Sequence, residues 1–245
     1  MAKAAPAEQL RLLELQALDA KIKQLNHRAK ILREDPRLSD LQAGLAVAQS
    51  DLVLRSTEVA DTQRELTRSE TDVEQVASRI ARDEARLNSG TGLSKDLVAL
   101  QHDLASLAKR RSDLEDIELA IMERLEAATG RQAKQQGVVD DILGSLAGIR
   151  DELDAQLAEV ATELKGVLND RQTLAGSFEE GLLAIYERTL SKRGIGAARL
   201  FHGTSEGSGM QLSPGDLADI RKSGADDIVF CPDSGCILVR DAEWN

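Results

Sequence analysis

The fold of this chain is decided by residues 45–87, whose sequence is LAVAQSDLVLRSTEVADTQRELTRSETDVEQVASRIARDEARL. An apolar residue recurs there at every seventh position, and the full set is Leu45, Leu52, Val59, Leu66, Val73, Ile80 and Leu87. A seven-residue repeat keeps one apolar stripe facing a partner helix along its whole length. The segment therefore predicts one long helix of a coiled coil.

A second apolar stripe follows the break at residues 88–92, and its members are Leu97, Leu100, Leu104, Leu107, Leu114, Ile121 and Leu125. Because both stripes belong to one chain and a short glycine-containing break separates them, each can pack against the other. We predict a first helix from about Pro6 to Leu87 and a second from about Ser94 to Leu190. The expected fold is mostly α: residues 1–190 form a long antiparallel helical hairpin, a coiled coil with its tip near residues 88–93.

The stripe of the first helix changes phase by one residue near Pro36. Its earlier members are Leu15, Leu18, Ile22, Leu25, Ala29 and Leu32, and their spacing would continue at residues 39 and 46 instead of 38 and 45. Proline lacks a backbone donor and clashes with the preceding helical turn. We therefore expect a joint in the hairpin near Pro36.

Composition and charge limit the possible functions. Aromatic residues make up only 2% of the chain, so a large compact core is disfavoured. The formal net charge is −11, which disfavours a protein that binds nucleic acid mainly through phosphates. The first ten residues, MAKAAPAEQL, hold no apolar segment of signal-peptide length, and no apolar run approaches the ~18 residues of a membrane span. We expect a cytoplasmic protein without a membrane partner.

The character of the chain changes after residue 190. Residues 191–245 hold 8 of the 18 glycines and both cysteines. Residues 197–202 and 209–212 are predicted as strands, and Ser213 is predicted to cap a short helix that ends near Lys222. Residues 227–231 and 236–240 should form a hairpin across the turn at residues 232–235. The expected structure of residues 191–245 is a small α+β domain.

Two stretches, residues 97–104 (LVALQHDL) and residues 230–238 (FCPDSGCIL), resemble a bacterial family of coiled-coil proteins that end in a four-cysteine zinc ribbon. The resemblance implies a non-catalytic adaptor that binds proteins or nucleic acids. It also places the four zinc-ligand positions at Ser205, Ser208, Cys231 and Ser234. Only one of these positions still carries a thiol, and a serine hydroxyl is a poor zinc ligand.

We therefore expect a degenerate zinc ribbon without a metal or another cofactor, held together by its apolar strand residues. A site of Cys231, Cys236, His202 and Asp233 is an alternative, but its spacing is irregular for zinc. A four-residue turn also places Cys231 directly across from Cys236, where a disulfide is conceivable. In a reducing cytoplasm two free thiols are the expected state.

No catalytic motif is present: the sequence holds no P-loop, no dinucleotide fingerprint, no HExxH and no nucleophile elbow. We expect neither an enzyme nor a small-molecule substrate. Two basic clusters are candidate contact sites, although solvated helix faces would look the same. The tip cluster is Lys109, Arg110 and Arg111, and the junction cluster is Arg188, Lys192, Arg193 and Arg199.

The leading hypothesis is a non-catalytic adaptor or chaperone-like scaffold that presents its coiled-coil tip and its small C-terminal domain to macromolecular partners, with a protein partner expected. The alternative is a nucleic-acid-binding protein that uses the ribbon-like domain and the junction cluster.

Overall fold

Long helices form most of the structure, a computed structural model that describes residues 3–241, 243 and 244. The helices are α1 Pro6–Arg33, α2 Pro36–Asn88, α3 Ser94–Ala175, α4 Glu180–Arg193 and α5 Pro214–Lys222. The strands are β1 Ala197–Phe201, β2 Thr204–Ser205, β3 Met210–Gln211, β4 Val229–Phe230 and β5 Ile237–Arg240. The predicted fold class is confirmed: a long antiparallel helical hairpin is followed by a small domain that contains strands.

The chain divides into two compact units, which we name after their contents. The hairpin unit is residues 36–151 and holds α2 with the first part of α3. The ribbon unit is residues 1–35 and 152–245 and, in its described part, holds α1, the end of α3, α4 and the small sheet with α5.

In the hairpin unit, contacts between the two helices show that they run antiparallel. Arg131 contacts Glu58 at 2.6 Å and Arg124 contacts Glu65 at 2.5 Å, so one residue number falls as the other rises. Heptad periodicity alone leaves the register of the two helices undetermined, because any shift by whole heptads superposes the same apolar stripes.

Polar residues at the interface contribute to this register. The Gln132 side-chain amide donates to Ser56 Oγ at 3.0 Å, and the Gln135 amide donates to the Ala48 carbonyl at 3.0 Å. A partly buried side-chain amide needs a hydrogen-bond partner. A shifted register would break these two hydrogen bonds and is therefore disfavoured. The apolar stripes themselves are buried or half-buried along both helices, and Leu66 and Val139 are among the most buried residues.

Breaks in the helices follow local sequence signals, with one exception. Helix α2 ends at Asn88 and α3 begins at Ser94; in the turn between them Gly90 has a φ of +65°, a conformation that favours glycine. Helix α1 ends at Arg33, and Pro36 occupies the first position of α2. The prediction of one helix from Ser94 to Leu190 is wrong, because residues 176–179 interrupt it. Phe178 in this interruption is buried in the core of the ribbon unit.

The small sheet of the ribbon unit has the strand order β3-β2-β1-β5-β4. Strands β1 and β5 are parallel, with Ala198 beside Leu238, and the other neighbours are antiparallel. The two-residue strand β2 was not predicted. Leu12 and Leu15 of α1 pack with Tyr186 of α4 and with Ile237 of β5, so the sheet and the helices share one core. Among the described helices, none combines the length and the apolar character that crossing a membrane requires.

Candidate functional site

Two turns of the small sheet bring the four predicted ligand positions together. In one turn the amide of Gly209 donates to the carbonyl of Ser205 at 2.8 Å, and in the other the amide of Gly235 donates to the carbonyl of Cys231 at 2.9 Å. The amide of Cys231 also donates to the carbonyl of Cys236 at 2.8 Å, so these two residues lie opposite each other, as predicted.

The five side chains of these turns form what we call the thiol–serine cluster: Ser205, Ser208, Cys231, Ser234 and Cys236. The hydroxyl of Ser234 donates to Cys236 Sγ at 3.1 Å, its amide lies 3.5 Å from Cys231 Sγ, and Ser208 Oγ lies 3.9 Å from Cys231 Sγ. Ser205 Oγ is buried and makes no hydrogen bond of ordinary length among the described residues, although its hydroxyl is near enough to lower the pKa of the Cys231 thiol. Both cysteines are buried, free thiols.

The two thiols of the cluster differ in acidity. Burial raises the pKa of the Cys231 thiol, but surrounding hydroxyls and the backbone amides of Ser234 and Asp233 outweigh this effect and lower the pKa to about 7. Burial raises the pKa of the Cys236 thiol above its usual value, in spite of the hydrogen bond from Ser234. Cys231 is therefore the thiol that ionises first.

The cluster does not fit zinc. A structural zinc ion takes four cysteine or histidine ligands, whereas the cluster offers two thiols and three hydroxyls. No group of three histidine, cysteine or acidic side chains able to hold a metal occurs within residues 3–241, 243 and 244. The alternative ligand set is thus not assembled, and the ring of His202 instead packs against Phe201 with the ring centres 4.2 Å apart.

Three of the four junction-cluster residues surround one cavity of about 360 Å³. Arg188, Lys192 and Arg193 line it together with Thr189 and Gly235, and among these described lining residues none is acidic. A Cβ atom added at Gly235 would lie 2.8 Å from Arg193 Nε, so the arginine side chain packs directly on the turn that carries Cys231. The cavity is a candidate binding site for an anion.

Arg199, the fourth residue of the junction cluster, does not line this cavity and forms ion pairs with two carboxylates. Its guanidinium contacts Asp241, lies 2.7 Å from Glu243, and stacks 4.5 Å from the centre of the Phe201 ring. These charge-assisted contacts raise the pKa of Arg199. The structure therefore groups Arg188, Lys192 and Arg193 and leaves Arg199 as the partner of two carboxylates.

The tip cluster is exposed, but one of its three basic side chains is already paired with a carboxylate. Arg111 Nε donates to Glu115 at 2.7 Å within the same helix. Arg110 lines a groove of about 540 Å³ together with Arg79 and Arg82 of α2. The sequence alone did not place these two arginines beside Arg110, because heptad periodicity does not fix the register of the two helices.

Sequence reasoning also missed a polar network in the ribbon unit, which we call the clamp network: Gln16, Asp19, Arg171, Tyr186 and Glu187. Asp19 accepts from the Tyr186 hydroxyl at 2.7 Å and from Arg171 Nε at 2.6 Å. Arg171 also donates to Glu187 at 2.6 Å, and Gln16 Oε1 accepts from the Gly196 amide at 2.7 Å. The network joins α1, α3, α4 and the residues just before β1. The one feature of the sequence that could have indicated this network is Tyr186, because it is the only tyrosine of the chain.

Beside the clamp network lies an open groove of about 1050 Å³, the α1–β1 groove. Apolar and small side chains of α1 and of the segment around β1 line it, among them Leu13, Ala17, Ala20, Ile195 and Ala198. Lys23 and Glu206 contribute charges to its lining. No sequence motif marks this groove, because its two walls are separated by about 170 residues of the chain.

Comparisons with known proteins agree with this architecture. Residues 15–194 match the CT398-like coiled coil hairpin domain, and residues 204–238 match the C4-type zinc ribbon domain. A protein of Mycobacterium tuberculosis, described as uncharacterized, is 32% identical over 238 residues, which cover 97% of both chains. A Mycobacterium leprae protein with the same description is 25% identical over 224 residues, covering 91% of this chain and 97% of that protein.

Two solved structures are similar over nearly the whole chain. A Mycobacterium smegmatis protein matches with a TM-score of 0.82 and 28% identity, covering 97% of this chain and 100% of that chain. CT398 of Chlamydia trachomatis matches with a TM-score of 0.61 and 19% identity, covering 95% of this chain and 97% of that chain; at this identity the likeness shows the fold alone. The chain therefore belongs to the bacterial family that joins a CT398-like coiled coil hairpin domain to a C4-type zinc ribbon domain.

Proposed function

We propose that this protein is a non-catalytic adaptor or chaperone-like scaffold that holds a segment of a partner protein in the α1–β1 groove. The groove is the observation that carries the proposal, because it is wide and open and its lining is mainly apolar. An open groove of about 1050 Å³ is at the upper end of the range of small-ligand pockets and is also long enough to suit a segment of polypeptide. The cytoplasmic location expected from the sequence stays a prediction.

The walls of the groove are held in place before any partner binds. Gln16 extends from α1 to the Gly196 amide, and Asp19 holds the Tyr186 hydroxyl and the Arg171 guanidinium. A preformed site avoids the entropic cost of ordering its own side chains at the moment of binding. The clamp network therefore supports binding as the role of the groove.

The same contacts support a non-catalytic role. Asp19 and Glu206 are the carboxylates in the lining of the groove, and both oxygens of Asp19 accept hydrogen bonds from Arg171 or Tyr186. Arg171 and Tyr186 thereby fix the position of this carboxylate. Asp19 is thus explained as a structural acceptor.

The test compares two arginine substitutions at exposed alanines of the ribbon unit. Ala20→Arg places a long cationic side chain in the groove, and Ala155→Arg places the same side chain on α3 away from it. Photo-crosslinkable residues at position 17 of the full-length protein should capture a defined protein in host cells. We expect Ala20→Arg to abolish this capture and Ala155→Arg to leave it unchanged. Equal capture by both variants would exclude the groove as the binding site.

The junction cavity supports nucleic-acid binding as a second candidate function. Arg188, Lys192 and Arg193 converge on it, and none of its described lining residues is acidic, although the net charge of the chain is −11. Basic side chains that converge on one cavity can contact neighbouring phosphates. The lining lacks the aromatic side chains that stack on unpaired bases, so the expected binding is electrostatic and independent of sequence.

Charge reversal tests this second function. If Arg188, Lys192 and Arg193 each contact a phosphate, affinity for single-stranded RNA should fall about tenfold or more between 50 and 200 mM salt. Arg193→Glu should abolish the binding, and Arg150→Glu, an exposed reversal on α3, should leave most of it. An absence of binding at about 50 mM salt would remove this candidate.

A further inference from the structure

We propose that the ribbon of this protein folds without zinc, and that the thiol–serine cluster takes the structural place of the metal site. The inference goes beyond the proposed function and does not depend on it. It also departs from the C4-type zinc ribbon domain to which residues 204–238 are similar.

The positions suit a metal site, but the chemistry of the side chains does not. Four sulfur ligands about 2.3 Å from a zinc ion stand about 3.8 Å from one another. Cys231 Sγ and Ser208 Oγ are 3.9 Å apart, close to that separation. Three of the four ligand positions carry hydroxyl groups, however, and zinc requires deprotonated ligands such as thiolates. Between Cys231 and Ser208 the spacing of a metal site is retained, while three of the four sulfur donors are absent.

Hydrogen bonds inside the cluster occupy the two remaining thiols. Cys236, two residues beyond the last ligand position, receives the Ser234 hydroxyl at 3.1 Å, and Cys231 receives the Ser234 amide at 3.5 Å. The turns also close tightly: a Cβ atom added at Gly207 would lie 2.6 Å from Cys236 Sγ and 2.9 Å from Ala198 Cβ. The sulfur atom of Cys236 thus fills space at the meeting point of the two turns.

Packing replaces the folding energy that a metal would supply. Cys231 and Cys236 belong to a buried cluster whose other members are Ala198, Leu200, Leu212, Ile220 and Leu238. Classical small zinc domains unfold without their metal because they bury too little apolar surface. Here β5 pairs with β1 and its side chains are buried against α1 and α4, so the sheet gains a core that an isolated ribbon lacks.

The test begins with the full-length protein, purified with reductant and without added chelator. We expect no stoichiometric zinc by elemental analysis and the same melting temperature with and without an excess of a strong zinc chelator. Zinc at about one ion per chain, or a melting temperature that falls on chelation, would overturn the proposal.

A variant that restores the zinc ligands serves as the positive control for an absence of zinc in the natural chain. Ser205→Cys, Ser208→Cys and Ser234→Cys together complete the four-cysteine set around Cys231. We expect this triple variant to bind about one zinc ion per chain and to lose several degrees of melting temperature on chelation. A folded triple variant that takes no zinc would contradict the claim that the ligand geometry is retained. If the triple variant does not fold, the metal content and chelator resistance of the natural chain still decide the main claim.

Ser205→Ala distinguishes a metal-free thiol–serine cluster from a cluster that binds a metal. The Ser205 hydroxyl is buried and makes no hydrogen bond of ordinary length among the described residues, so its removal should leave the melting temperature nearly unchanged. If the hydroxyl instead ligated a metal, the variant would lose metal and melt lower. That result would contradict the proposal.

Discussion

Replacing Gly196 with alanine should destabilise the ribbon unit by about 3 kcal/mol, the upper range for inserting a methyl group into a packed core. The new Cβ atom would lie 2.4 Å from Cε2 and 2.6 Å from Cζ of Tyr186. Tyr186 is completely buried and its hydroxyl is bound to Asp19, so the ring has no space into which it can move. Any backbone shift would also weaken the bond from the Gly196 amide to Gln16.

Gly181→Ala is the matched control. Gly181 lies in α4, and a Cβ atom added there meets nothing within 4 Å. Alanine at an open helical position should stabilise the protein by up to about 1 kcal/mol. Urea unfolding followed by the fluorescence of Trp244, the only tryptophan, reports on the core that contains the thiol–serine cluster. Similar midpoints for the two variants would show that the Gly196–Tyr186 contact is not tight.

Asp19→Ala is the second substitution with a large expected effect, a destabilisation of about 2 kcal/mol. The change removes the closer acceptor of the Tyr186 hydroxyl, which keeps only Gln16 Oε1 at 3.4 Å, and it leaves Arg171 with Glu187. Removing one member of a buried pair costs more than the pair itself contributes, because the remaining charge stays desolvated. Here the side chains of Arg171 and Asp19 are only 21% and 11% exposed.

Lys21→Ala is the control for Asp19→Ala, since it breaks an ion pair of the same unit at the surface. Lys21 Nζ lies 2.7 Å from Glu163, and the two side chains are 43% and 42% exposed. Solvent screens such a pair, so its loss should cost no more than about 0.5 kcal/mol. Equal losses of stability in the two variants would show that the clamp network contributes no more than a surface pair.

The titration of Tyr186 gives an independent measurement of the same network. Burial, and after it the hydrogen bond to Asp19, raises the pKa of Tyr186 above its ordinary value. A raised pKa means that this contribution to stability is fully present below about pH 10, the unfolded value, and is lost as the pH rises further.

Tyrosinate absorbance in the native protein should therefore appear well above pH 10 and together with unfolding. Asp19→Ala should bring its onset to a lower pH. Ionisation of Tyr186 near pH 10 in a folded chain would contradict the buried environment described here.

The predictions that succeeded rest on periodicity and on turn residues. The seven-residue repeat from Leu45 to Leu87 requires a partner stripe of the same period, and the chain supplies one after Gly92. The turn at residues 232–235 likewise places Cys231 opposite Cys236, as the hydrogen bond between their backbones confirms.

The errors have the same physical basis. A periodic stripe looks identical after a shift of seven residues, so the sequence left the pairing of Glu58 with Arg131 open and concealed the arginines next to Arg110. The interruption at residues 176–179 was missed because Phe178 is buried by contacts with distant residues that local sequence does not report.

Local patterns alone were thus enough to determine the helical hairpin and the small α+β domain, and the family resemblance implied the four zinc-ligand positions. The tertiary structure decided the helix register, the clamp network, the α1–β1 groove and the closure of the thiol–serine cluster. Each of these depends on side chains far apart in the chain, such as Asp19 with Arg171, whose meeting is set by packing and not by the residues beside them.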